Sequence, residues 1–296
     1  MGTLTKQIYR YTHKRNMRHN ENLWPFVKIR RAESGEITDL KYRHQSVSLA
    51  RLSDMQNQFS GSLLLTATGP SVREIDFSQR PDNITIAGVN GAWKLKDTLK
   101  FKLYFIVDMT FIDHHAQIIK EICSSQGITL FTTVMGIIKL IDALGYENIH
   151  CKLAIIEDIC YETYKPSVKK NQIEHHFSAR ENIVFSHKYP EIAFSTDICK
   201  GVFDAGTVVY WALQVIAHLG FAKIYIAGLD LNNLSAPRFY ENESSKRPSY
   251  LHDKLNELVF PALQLASEVL AMKGISVINL SPLSSVPEST FPKQGF

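Results

Sequence analysis

From residue 62 onward the chain repeats one pattern: a short, unbroken apolar run, then a longer stretch with helical spacing. The runs are 62–66 (SLLLT), 84–88 (ITIAG), 103–107 (LYFIV), 129–133 (TLFTT), 153–156 (LAII), 223–228 (KIYIAG) and 275–280 (ISVINL). A strand with one wet face alternates apolar and polar residues. A strand covered on both faces does not, so unbroken runs of this length predict parallel strands sandwiched between helices. Between them, residues 206–219 place Val209, Leu213, Ile216 and Ala217 on one helical face, with Asp204 as N-cap and Gly220 as C-cap. Residues 255–272 form a second long helix, interrupted near its start by Pro261. Strands alternating with helices give a doubly wound, mostly parallel α/β sheet. Neither an internal repeat nor a low-complexity tract interrupts the series.

Two stretches break the rhythm. Residues 158–202 hold Tyr161, Tyr164, Lys165, Lys169, Lys170, His175, His176, Arg180, His187 and Lys188. A polar, basic, His-rich insertion in a compact domain reads as a lid or as a surface excursion without function. The first 58 residues carry eleven Lys and Arg against five Asp and Glu, a charge of +6, whereas the remainder carries −2. Tyr9, Tyr11, Trp24 and Phe26 lie among those charges. Lys and Arg mixed with aromatics suit an anionic surface, a membrane leaflet or a phosphorylated glycolipid. A solvated leader with no partner suits the composition equally. Nucleic acid is disfavoured, because no recognition motif accompanies the charge. The expected organisation is a basic segment over 1–60 and a ligand-binding domain over 61–296 with its insertion near 158–202.

At 45% hydrophobic and 21% charged residues the composition is that of an ordinary globular chain. No stretch approaches the roughly 18 apolar residues of a membrane span, and residues 1–18 lack the apolar core of a signal peptide. Cys123, Cys151, Cys160 and Cys199 include no CxxC pair, which argues against a disulfide framework or zinc cage and fits a reducing cytoplasm.

In open parallel sheets ligands bind beyond the carboxyl ends of the strands. Thr68-Gly69-Pro70-Ser71 follows the first run, Asn90-Gly91 the second, Asp108 the third and Asp230 the sixth. Gly-Pro-Ser and Asn-Gly are also ordinary turn sequences, but together these positions favour a nucleotide-type ligand. Glycine permits close backbone approach, and N–H groups at a helix start favour phosphate. Asp113-His114-His115 spells the DHH of a phosphoesterase family, but its companion Asp motifs are absent, so it reads as a helix start with exposed histidines. GxGxxG, GxxxxGK[ST], GxSxG and a strand-end DxD are absent too, and no His cluster has metal-ligand spacing. His252 opens the last long helix after the polar stretch 232–250. There it could face the cleft and take a proton near neutral pH, although an exposed histidine is the plainer account on composition alone.

Residues 68–76 (TGPSVREID) resemble the GPSLKEID opening of the bacterial CMP-sialic acid sialyltransferases of glycosyltransferase family 42. Val89-Asn90, Ala205-Gly206-Thr207 and Ala227-Gly228-Leu229-Asp230 follow in that family's order. Gly228 to Leu231, Ser235 to Tyr240 and Asn279-Leu280-Ser281-Pro282 are more similar to the lipopolysaccharide inner-core transferase that adds a third 3-deoxy-manno-octulosonic acid (Kdo). The resemblance covers roughly residues 62–290. It implies a Rossmann-like fold of a variant GT-A type with a small lid, and inverting transfer without metal or other cofactor. It implies a CMP-activated donor, a saccharide or lipopolysaccharide acceptor, and a cytoplasmic protein in peripheral contact with the inner membrane. By position, Thr68, Gly69 and Ser71 would meet the CMP phosphate or ribose, Asn90 the nucleotide or sugar, and Thr207 the donor carboxylate. Asp108 and Asp230 would complete the nucleotide site, Tyr240 would steady the departing phosphate, and His252 would be the general base. Asn232 stands where the sialyltransferases have a second tyrosine, Asp108 replaces their Asn, and Asp204 replaces their Arg. These departures favour Kdo over sialic acid. Similar GPS openings in flagellin glycosyltransferases and in an archaeal pterin pyrophosphokinase leave a metal- and ATP-dependent alternative, for which Asp108 and Asp230 would serve.

Overall fold

The computed structural model describes residues 3–244, 246 and 251–296, with His252 by its backbone alone. Arg247, Ser249 and Tyr250 of the polar stretch lie outside the described residues. A helix α1 (Thr3–Thr12) opens the chain, followed by an antiparallel sheet of β1 (Val27–Arg31), β2 (Ile37–Tyr42) and β3 (Gln45–Val47). The main body then runs β4 (Ser62–Thr66), β5 (Thr85–Val89), β6 (Leu103–Ile106), α2 (Met109–His114), α3 (Ala116–Ser124), β7 (Thr129–Thr132), α4 (Val134–Leu144) and β8 (Lys152–Ile155). The insertion holds α5 (Ile173–Phe177) and the hairpin β9 (Ile183–Phe185) and β10 (Ala193–Ser195). The chain closes with α6 (Val208–Leu219), β11 (Lys223–Ala227), α7 (Phe260–Met272) and β12 (Ser276–Asn279).

The seven expected strands form one parallel sheet in the order β12-β11-β4-β5-β6-β7-β8. Successive residues of each strand point to opposite faces. Leu63, Leu65, Phe105, Phe131, Ala154 and Ile226 therefore join a core with α6, α7 and the insertion. Leu64, Tyr104, Leu130, Leu153 and Tyr225 join a second core with α2 to α4 and the N-terminal sheet. Both faces are dry, which is why the runs are continuous. Helix α6 is buried all round, so its sequence is apolar beyond one stripe. Gly220 ends it in the left-handed conformation, φ +99°. Its N-cap is Thr207, whose hydroxyl accepts from the Val209 N–H at 3.3 Å. The expected cap, Asp204, instead accepts from the Gly206 N–H and from Trp211 Nε1 at 2.8 Å. A wide π turn over Leu255–Val259 precedes α7, where Pro261 sits in the first turn and cannot donate to the preceding one.

The basic N-terminal segment is folded onto this body. Tyr42 donates to Asp142 at 2.8 Å, Arg31 pairs with Glu157 at 2.5 Å, and Tyr164 donates to the Val27 carbonyl at 2.7 Å. Buried Glu36 accepts from the Leu52 N–H and pairs with Arg51 at 2.8 Å. The 158–202 insertion is anchored too. Ile159, Ile173, Phe177, Phe194 and Val202 are buried in the core. All four cysteines are buried and unbridged.

Candidate functional site

The order β11-β4-β5-β6 brings the segments after four neighbouring strands into one row. They frame a cavity of about 430 Å³, closed on the remaining side by the start of α6. Seven of the expected residues line it: Thr68, Gly69, Asn90, Asp108, Thr207, Asp230 and Tyr240. Asn90 follows β5 in the left-handed region, φ +44°, where an asparagine is tolerated better than most residues. Its carbonyl is fixed by the buried Tyr104 hydroxyl at 2.7 Å. Its side-chain Oδ1 is buried yet has no hydrogen-bond partner within the protein. A buried acceptor left unpaired is costly, and here it stands in the wall of a cavity. Gly206, Thr207 and Val208 present the N-terminal end of α6 to the same space. The partial positive charge of a twelve-residue helix favours an anion there.

Ser71 does not line the cavity. Its N–H donates to Asp230 Oδ2 at 2.8 Å, its hydroxyl donates to Asp230 Oδ1, and the Ser281 hydroxyl lies 2.7 Å away. Ser281 also accepts from the Gly228 N–H and donates its own N–H to Asn279. Ser71, Asp230, Ser281 and Asn279 thus form one clamp joining the loops after β4, β11 and β12. Gly69 belongs to it. A Cβ there would collide with the Asp230 carboxylate and with Gly228 O at 2.6 Å, so close packing of two loops already requires the glycine. Both oxygens of Asp230 are occupied by Ser71. Asp108 accepts from the Thr110 N–H at 2.8 Å as the cap of α2.

Tyr240 is held over the cavity by a second set of bonds. The Phe239 N–H donates to the Thr68 carbonyl at 3.2 Å, and Arg73 donates to the Phe239 carbonyl at 2.5 Å. The Tyr240 ring lies against Gly91, where any side chain would collide with it, and stands edge-on to His115 with centroids 5.8 Å apart. Burial pushes its phenol up to about 12. It therefore stays protonated, a donor, throughout the physiological range. Neighbouring Arg238 pairs with Glu241 at 2.8 Å.

His252 starts the turn His252–Lys254, between the cavity residues Leu251 and Lys254. Its side chain lies outside the described residues. His175, His176 and His187 do not line the cavity. His114 and His115 do; His114 is exposed and His115 is the N-cap of α3, as a helix start with exposed histidines requires, but both also face the cavity. Helix α2 stops after six residues, and its C-cap His115 stacks on Phe111 four residues back, with ring centroids 4.4 Å apart. That early stop carries no clear sequence signal. Asp204, Arg238 and Lys254 are further lining residues absent from the expected set. Residues 158–202 contribute none, and the overhang comes from 229–240 and 251–254. Among the described residues, no cluster of three or more His, Cys, Asp or Glu could hold a metal ion, and no helix is long and apolar enough to cross a membrane.

Residues 46–293 match the model of the 3-deoxy-D-manno-octulosonic acid transferase WaaZ family. A probable 3-deoxy-manno-octulosonic acid transferase of Salmonella typhimurium is 25% identical over 228 residues, covering 75% of this chain and 81% of that protein. Its counterpart in Escherichia coli is 22% identical over 250 residues, covering 80% and 84%. Among solved structures, the sialyltransferase CstII from Campylobacter jejuni with cytidine-5'-monophosphate aligns with a TM-score of 0.45 at 14% identity. It covers 78% of this chain and 83% of that one. The alpha-2,3-sialyltransferase Cst-I from the same organism aligns with a TM-score of 0.45 at 14% identity, covering 83% and 82%. The match over residues 46–293 places the strand-end cavity and the clamp around it inside one family: this chain belongs to the 3-deoxy-D-manno-octulosonic acid transferase WaaZ family of glycosyltransferases.

Proposed function

We propose that the protein moves Kdo from CMP-Kdo to an inner-core saccharide of lipopolysaccharide, with inversion, without a metal, and with His252 as general base. The observation that carries this reading is the unpaired, buried Asn90 Oδ1 in a cavity that also presents the N-terminus of α6. The cytosine amino group or a sugar hydroxyl can supply the missing donor. The helix end and the protonated Tyr240 hydroxyl suit the phosphate and carboxylate of a CMP-ulosonate. As the C–O bond to CMP breaks, charge accumulates on the phosphate, and fixed donors lower the energy of that state more than they do the ground state. Lys254 at the rim adds positive charge. The acceptor hydroxyl attacks the anomeric carbon from the face opposite CMP while His252 takes its proton. Such an acceptor is built at a membrane, so peripheral attachment to the cytoplasmic face of the inner membrane is part of the proposal.

Calorimetry tests the nucleotide site. CMP should bind without added metal, and Asn90→Ala should weaken it by about 5- to 150-fold, the range for one buried hydrogen bond of about 1–3 kcal/mol. Binding of ATP but not CMP would remove the basis of the proposal.

A further inference from the structure

Helix α1 has an unusual exposed face. Leu4, Ile8 and Tyr11 are 69%, 41% and 91% exposed. They stand at i, i+4 and i+7, so they form one apolar stripe along the helix. The opposite side is anchored by Tyr9, which is fully buried and stacks on His13 with centroids 3.8 Å apart. Of the aromatics in this segment, then, Tyr9 holds the helix down and Tyr11 projects from it.

Beside the stripe, two basic clusters remote in sequence come together. The Ser167 N–H donates to the Asn16 carbonyl at 2.8 Å. His19 Nε2 lies 3.1 Å from the Glu162 carbonyl, and the Tyr164 N–H donates to Asn20 at 2.9 Å. These bonds hold the segment that carries exposed Lys169 and Lys170 against the segment that carries exposed Lys14 and Arg15. Of the nearby acids, Glu21 pairs with Arg10 at 2.6 Å and Glu162 with Lys165 at 2.7 Å, which leaves exposed Glu174 as one carboxylate against the four bases. None of Lys14, Arg15, Lys169 and Lys170 stands in an ion pair among the described residues. Tyr161, 54% exposed and edge-on to His19, adjoins the same surface.

We infer that this composite face, the Leu4–Ile8–Tyr11 stripe with the Lys14, Arg15, Lys169 and Lys170 cluster, docks the protein on an anionic lipid bilayer. The apolar stripe is what distinguishes a bilayer from a soluble polyanion. An interfacial helix buries such a stripe at the headgroup boundary while basic side chains meet anionic headgroups. The basic insertion thereby acquires a role that does not require it to cover the cavity. The inference deepens the peripheral attachment proposed above and rests on it for location, but not for the identity of the donor.

Cosedimentation of the full chain with vesicles tests it, comparing phosphatidylglycerol/phosphatidylcholine with phosphatidylcholine alone. The wild type should sediment with the anionic vesicles and much less with the neutral ones, and salt should weaken the binding. The Lys169→Glu/Lys170→Glu variant should reduce partitioning more than about tenfold, since each basic residue near an anionic surface contributes a factor of about five. Leu4→Asp/Tyr11→Asp should reduce it comparably. All four positions are exposed, so melting temperature and CMP affinity should match the wild type in both variants. That separates loss of docking from failure of the nucleotide site. No sedimentation of the wild type, equal recovery on neutral vesicles, or binding that survives both variants overturns the inference.

Discussion

At the residue scale, positions were easier to read than roles. Gly69, Ser71 and Asp230 stand where strand-end logic puts them, yet Ser71 faces Asp230 instead of the cavity, and Gly69 is demanded by the loop beside it. Spacing along a chain cannot reveal that two loops 159 residues apart share hydrogen bonds. If His252 is the general base as proposed, His252→Ala should lower transfer by about 10²- to 10⁴-fold and leave CMP affinity nearly unchanged, because such a base acts on the acceptor and not on the nucleotide. Retention of most of the wild-type rate would direct attention to His115, which lines the cavity. Asp158 offers a separate test. Burial, with a smaller contribution from the charge of Asp204, raises its carboxyl to about 7, although the Cys160 N–H donates to it at 2.8 Å. The folded state thus holds a proton that the unfolded chain releases near pH 4. The stability this proton contributes is complete below about pH 4 and is lost as pH rises through about 7. Asp158→Asn keeps an acceptor and removes the charge, so denaturation midpoints should fall less between those pH values than in the wild type. An unchanged pH slope would show that Asp158 ionises normally.

Among the elements, the seven parallel strands were legible because their two faces are both buried, which strips polar residues from the run. The N-terminal sheet was not. β1 reads VKIRR and β2 reads ITDLKY, so charges interrupt the apolar positions of strands with one covered face. The segment looked like a solvated leader for that reason. The insertion was obscured in the same way, since Ile173 and Phe177 in IEHHF are core residues set among exposed histidines. Within the sheet, Phe105 on β6 and Phe131 on β7 are fully buried and stack with centroids 5.0 Å apart. Phe131→Ala should cost about 3–5 kcal/mol in chemical denaturation, the usual range for a large core truncation. A cost near zero would mean that this layer is less tightly packed than described.

At the scale of the whole molecule, one edge of the parallel sheet collects the chemistry, and the N-terminal segment and insertion build a separate basic face. The cavity joins four neighbouring strand ends with the positive end of α6, and a hydrogen-bonded clamp ties two of its loops, after β4 and β11, to the loop after β12. Such a site suits an anionic, CMP-activated sugar. Membership of the Kdo transferase family supports the ulosonate class, and the choice between ulosonates is settled by turnover. The most direct measurement is CMP release from CMP-Kdo and from CMP-sialic acid, each supplied with a core saccharide acceptor and no added metal. The account predicts acceptor-dependent CMP release from CMP-Kdo, and little or none from CMP-sialic acid. Turnover of CMP-sialic acid in preference to CMP-Kdo, or no release from either donor, would contradict it.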